Sequence, residues 1–193
     1  MGGFFGAVGK KNVMMEVFFG TDYHSHLGTR SAGLACYDAS SGFRRKIHGI
    51  SNAPFRTKFE GITMEMSGTA GIGCINDTNP QPLVVHSQLG TYTLCFTGVI
   101  KNTDALIRRY VEQEGGQLLV MSDGRVNTTG LVAALINRHA SFEEGIRKAQ
   151  DMIDGTVLIL ILTDRGTLIA ARDKEGRLPV HIGKKEERHA KYP

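Results

Sequence analysis

Residues 156–173, TVLILILTDRGTLIAARD, carry the reading on which the fold turns. Two runs rich in Val, Leu and Ile flank Asp164-Arg165-Gly166, a turn sequence, so the segment predicts a β-hairpin. Just upstream lie two helical patterns, NTTGLVAALINRHA (127–140) and SFEEGIRKAQDMI (141–153), the second opened by Ser141 with Glu144 three residues on in capping-box spacing. Further back, KNTDALIRRYVEQEGG (101–116) is the clearest helix. Thr103 or Asp104 caps it, Leu106, Ile107, Tyr110 and Val111 line one face, and Gly115 and Gly116 end it. Residues 13–38 read as a helix that stops at Gly20, a loop, and a strand containing Leu34, Ala35 and Cys36. At the start, MGGFFGAVG (1–9) reads as a first strand: Phe4, Phe5 and Val8 favour a buried pleated surface, and Gly2, Gly3 and Gly6 let other backbone approach closely. Strands, then helices, then strands again favour an α+β layered fold, with helices packed on largely antiparallel sheets, over a doubly wound parallel one.

With 193 residues, of which 41% are hydrophobic, the chain can build one substantial core. A single domain is expected over 1–185, with 186–193 as a tail of mixed, mainly basic charge. The net charge is +4, but the basic residues are scattered or mixed with acids, and the run GKKEERHAKYP (183–193) reads as solvated chain and not as a nucleic-acid surface. Cys36, Cys74 and Cys95 are an odd set without close pairing, which argues for a reducing compartment, the cytoplasm. No stretch has a signal-peptide pattern, and TVLILIL is too short to span a bilayer, so neither nucleic acid nor membrane is expected as a partner. No cofactor or metal is expected. His24 and His26 beside Asp22 in DYHSHLGTR fix too little geometry for zinc and read as a polar loop. GRVNTTG (124–130) lacks the Lys-Ser/Thr ending of a phosphate-binding loop and reads as a helix entry.

Six stretches fall in order along the chain: GTRSAGLACYD (28–38), GTAGIGCIND (68–77), NPQPLVVHS (79–87), FTGVIKNTDAL (96–106), VMSDGRV (120–126) and ARDKEGRLPVHIGKK (171–185). In that order and at that spacing the sequence resembles class II glutamine amidotransferases, most of all the glutaminase domain of amidophosphoribosyltransferases. The resemblance implies a four-layer αββα sandwich of the N-terminal nucleophile hydrolase type, two mainly antiparallel sheets between helical layers.

It also implies chemistry that this sequence departs from. The family attacks the glutamine amide with a Cys exposed by removal of Met, whose own α-amino group serves as base. The matching position is Gly2, which has no side chain. The family's oxyanion donor comes from an Asn-Gly pair matching Thr97 and Gly98, so the glycine is kept and the amide is not. Its arginine for the substrate α-carboxylate falls at Asn76, which cannot form a charge-assisted bidentate pair. Asp123 matches the acid that receives the substrate α-amino group, and Arg125 replaces a second acid. Changes in three separate stretches lead to the expectation of a domain unable to hydrolyse glutamine, acting as a binding or regulatory module for an amino-acid-like small molecule. The alternative is an active amidohydrolase with a displaced nucleophile, for which Cys74 is the candidate, although Ile72 and Ile75 around it also fit a small buried hydrophobe. In the family the chain continues into a phosphoribosyl-diphosphate domain, so a chain ending at Pro193 is expected to be a fragment or a stand-alone module. Its final hairpin is expected to leave a sheet edge for a second copy or a protein partner.

Overall fold

Two four-stranded antiparallel sheets lie face to face in a computed structural model that describes residues 2–117, 121–122 and 124–184. The first sheet holds β1 (Gly2–Val8), β2 (Ser31–Asp38), β3 (Gly42–Gly49) and β4 (Ala70–Asn76) in the order β1-β4-β2-β3. The second holds β5 (Leu83–Ser87), β6 (Gly90–Ile100), β9 (Gly155–Thr163) and β10 (Leu168–Arg172) in the order β10-β9-β6-β5. Between β6 and β9 in the chain, β7 (Met121–Ser122) and β8 (Arg125–Val126) form a small separate hairpin. The expected tail at 186–193 lies outside the described residues.

Strand alternation sorts the side chains into three apolar layers. Ala35, Ala70, Ile72, Cys74, Cys95, Leu160 and Leu162 fill the space between the sheets. On the outer face of the first sheet, Ala32, Leu34 and Ile75 pack against α1 (Met14–Tyr23) and α2 (Phe55–Phe59) through Met14, Val17, Phe18, Phe55 and Phe59. The short α3 (Ile62–Glu65) follows on that side. On the outer face of the second sheet, Tyr92, Leu94, Phe96, Val157, Ile159 and Ile161 meet α4 (Thr103–Arg108), α5 (Thr128–Ile136) and α6 (Phe142–Met152). The architecture is therefore αββα, as the sequence resemblance implied. The first strand and the final hairpin face each other across the central layer, since a Cβ on Gly6 would lie 3.1 Å from Leu160 and 3.2 Å from Leu168.

Two local readings change. The first helix does not stop at Gly20 but runs on to Tyr23. A Cβ at Gly20 would fall on the Phe5 ring, so this glycine serves the close approach of α1 to β1 and not the end of the helix. At the α4 entry the cap position is Asn102, not Thr103 or Asp104, and no side chain caps the helix. Asn102 instead joins two elements, donating from Nδ2 to the Met152 carbonyl (2.8 Å) and accepting from the Asp154 N–H (2.9 Å). Thr103 donates to the Ile100 carbonyl. The α4 helix passes into a π-helical turn, Arg109–Gln113, before Gly115 takes φ +65°. The capping of α6 by Ser141 is as read: its hydroxyl accepts the Glu144 N–H at 3.2 Å.

Gly73 is where α1 comes nearest to β4. A Cβ there would strike Thr21 Oγ1 and sit 2.7 Å from a Leu34 methyl, and Thr21 cannot swing away without breaking its 2.6 Å bond to the Val17 carbonyl. Gly73→Ala is expected to destabilise the protein by about 1–3 kcal/mol as an overpacked core position. Urea unfolding would measure this, and Thr21→Ala in the same chain should restore part of the loss.

Candidate functional site

Two of the residues singled out by sequence, Gly2 and Asn76, meet at one end of the first sheet. Gly2 opens β1 and stands in register with Asn76, the last residue of β4, which is itself in register with Ser31 at the start of β2. From the other sheet, β6, which carries Thr97 and Gly98, contacts both β1 and β4. Gly98 has φ +155°, and a Cβ there would meet the Thr156 carbonyl oxygen, so β9 packs on bare backbone. Asp123 lies outside the described residues.

Position 2 has no room for a side chain. A Cβ on Gly2 would overlap the Ile75 carbonyl oxygen and approach Asn76 Cα to 3.2 Å and its Cβ to 3.3 Å. The obstruction is main chain, which cannot rotate aside as the end of a flexible side chain would.

Asn76 is 3% exposed, and its oxygen is committed to the loop that follows it. Oδ1 accepts the N–H groups of Thr78 and Asn79, both at 3.0 Å, while Nδ2 has no partner among the described residues. Asn79 extends the chain of bonds, donating from Nδ2 to Thr128 Oγ1 at 2.6 Å. This draws the N-terminus of α5, capped by Asn127 through Gly130 N–H, onto the end of β4. Gln81 then ties the same loop to the second sheet. It is fully buried, donates from Nε2 to the Phe96 carbonyl (2.9 Å) and accepts the Phe96 N–H (2.6 Å), which fixes the backbone just before Thr97.

Cys74 is not at this site. It is 1% exposed, in the layer between the sheets against Cys95, whose thiol is pushed well above its ordinary range by burial and by Cys74 itself. A Cys74 thiol so placed is not accessible to a substrate. His24 and His26 do not act together either. His24 packs over Gly3, where a Cβ would lie 3.2 Å away, and is held to a lowered pKa by burial and by His26. His26 Nδ1 lies 3.0 Å from the Tyr23 carbonyl. Among the described residues no three His, Cys, Asp or Glu side chains converge in a metal-ligand group.

A model of the glutamine amidotransferase domain matches residues 71–191, which include Asn76, Thr97 and Gly98. The chain belongs to that family. Among solved structures it is similar to glutamine phosphoribosylpyrophosphate amidotransferase from B. subtilis complexed with ADP and GMP, at 25% identity and TM-score 0.73, over 90% of this chain and 37% of that one. A second, described as the allosteric regulatory enzyme of purine biosynthesis, is 24% identical with TM-score 0.75, over 91% of this chain and 38% of that one. The chain thus spans under two fifths of the length of either protein. No curated protein matches it. The two sheets with helices on their outer faces are the N-terminal nucleophile hydrolase fold of these amidotransferases.

Sequence reasoning found Gly2, Asn76, Thr97 and Gly98 but missed Asn79, Gln81 and Thr128. The signal for Gln81 was present: a polar residue between Pro80 and Pro82, directly before a strand, in a loop with little conformational freedom. Gln81→Leu would leave the Phe96 N–H and C=O buried without partners, so a loss of about 2–4 kcal/mol is expected in chemical denaturation.

Proposed function

We propose that this chain is a glutamine amidotransferase-type domain that does not hydrolyse glutamine and acts in the cytoplasm as a binding module for a small amino-acid-like molecule. The observation that carries this reading is the closure of position 2 by the Ile75 carbonyl, where the family's chemistry needs a thiol. Three further features support it. Thr97 presents a hydroxyl in place of an amide donor beside Gly98. Asn76 brings no positive charge, and its oxygen already caps the 78–79 turn. Cys74 is shut into the layer between the sheets. What remains at the end of β4 is one buried donor, Asn76 Nδ2, without a partner among the described residues, a group that pairs with an uncharged oxygen. Asp123 would supply an acceptor for an amino group, as the family resemblance implies. The absence, among the described residues, of any helix long and apolar enough to cross a membrane is compatible with this setting.

Ammonia release from L-glutamine tests the reading. The unmodified protein should give no release above the uncatalysed background, and turnover there, or a stoichiometric adduct on Cys74 after treatment with a glutamine-analogue diazo-ketone, would overturn it. Gly2→Cys alone should stay inactive, because its Cβ must displace the β4 backbone before the thiol can point anywhere. Adding Asn76→Arg and Thr97→Asn restores the family's residue types but removes the acceptor for two loop N–H groups, so less than about a hundredth of an intact glutaminase rate is expected.

A further inference from the structure

A cavity of about 390 Å³ opens beside the degenerate site, between the connection from α1 to β2 and the connection from β3 to α2. It shares no residue with Gly2, Asn76, Thr97 or Gly98. Its size falls in the lower part of the range of small-molecule sites, roughly 300–1,000 Å³. One wall is polar, with Ser25, Thr29, Arg30 and Ser51. The other is apolar, with Ile50, Pro54 and the 2%-exposed Phe55.

Arg30 gives this cavity its charge. Among the described residues its guanidinium has no carboxylate partner, and it is held in place by one bond from Nη1 to the Asp77 carbonyl (3.3 Å). The nearby Asp77 carboxylate is turned to the main chain, accepting the N–H groups of Thr29 (2.7 Å) and Arg30 (3.1 Å). The other acid of this neighbourhood, Asp22, is paired with Arg56. A tethered guanidinium with open N–H groups, hydroxyls beside it and an apolar wall opposite is a receptor for a planar anion that carries an apolar group. A single arginine fork matches a carboxylate, whereas a phosphate draws on several cations or a nest of backbone N–H groups.

We propose that this cavity binds a small carboxylic acid with an apolar substituent, its carboxylate on Arg30 and its substituent against Ile50, Pro54 and Phe55. Its lining includes none of Gly2, Asn76, Thr97 and Gly98, so the proposal stands or falls independently of the ammonia-release result.

Phenylacetate is a suitable probe, titrated into the full ¹⁵N-labelled chain and followed by amide chemical shifts. Saturable shifts confined to Thr29, Arg30, Ile50, Ser51 and their neighbours are expected. Arg30→Gln, and separately the uncharged probe phenylacetamide on the unmodified chain, should each weaken binding by about tenfold or more. Inorganic phosphate should bind more weakly than phenylacetate. Should Arg30→Gln disturb the start of β2, Ser51→Trp fills the cavity from its exposed rim, leaves the Arg30–Asp77 bond in place, and should abolish the shifts. Unsaturable or dispersed shifts, undiminished binding to Arg30→Gln or Ser51→Trp, or phosphate binding as tightly as phenylacetate would each overturn the proposal.

Discussion

The two hydrogen bonds between the Gln81 side chain and the Phe96 backbone fix how the two sheets meet at the functional end of the molecule. The described residues between the sheets are mainly apolar, and apolar contact sets spacing but tolerates sliding. A buried amide that satisfies both the N–H and the C=O of one residue has only one good geometry, and each bond is strong because no water competes for it. Gly33 in β2 belongs to the same arrangement, since a Cβ there would fall on the Gln81 carbonyl oxygen. With that point fixed, the end of β4 with Asn76 and the last third of β6 with Thr97 and Gly98 take defined positions, and Asn79 brings in the start of α5.

The amidotransferase fold is thus present in backbone, while Gly2, Asn76 and Thr97 differ from the residues that the sequence resemblance implies there. The loop after β4 is held by Asn76 accepting two N–H bonds, a task that an asparagine oxygen performs and a guanidinium, which only donates, cannot. At position 2 packing again decides which residue fits. Once β4 lies as close to β1 as it does at Ile75, glycine is the residue that fits, and the neighbouring strand excludes what a nucleophile would need.

The first helix shows how packing can overrule a local signal. Its sequence, MMEVFFGTDY, is apolar on nearly every side, and Gly20 resembles a stop. The helix continues because Gly20 faces the Phe5 ring while Met14, Val17, Phe18 and Thr21 are buried against the first sheet. Its other side leaves Met15, Phe19 and Tyr23 exposed at 49%, 53% and 76%, three side chains four residues apart in one stripe. At the end of the second sheet, β10 is an edge strand among the described residues.

The sequence by itself determined the layers and which residue types stand at positions 2, 76 and 97. Period-two and period-3.6 patterns report burial directly, so the hairpin at 156–173, the helices at 128–136 and 142–152, and the identities of Gly2, Asn76 and Thr97 were legible from residue types in order. Tertiary structure alone decided how those residues are used. That Gly2 is closed off by the Ile75 carbonyl, that Cys74 faces Cys95 and not the site, and that Asn102 links two elements in place of capping one all depend on partners between 21 and 73 residues away in the chain or on which face a strand turns inward. Hydrogen bonds and steric contacts act over a few ångströms whatever the separation in sequence, and a linear pattern carries no record of which distant groups the fold brings within that range.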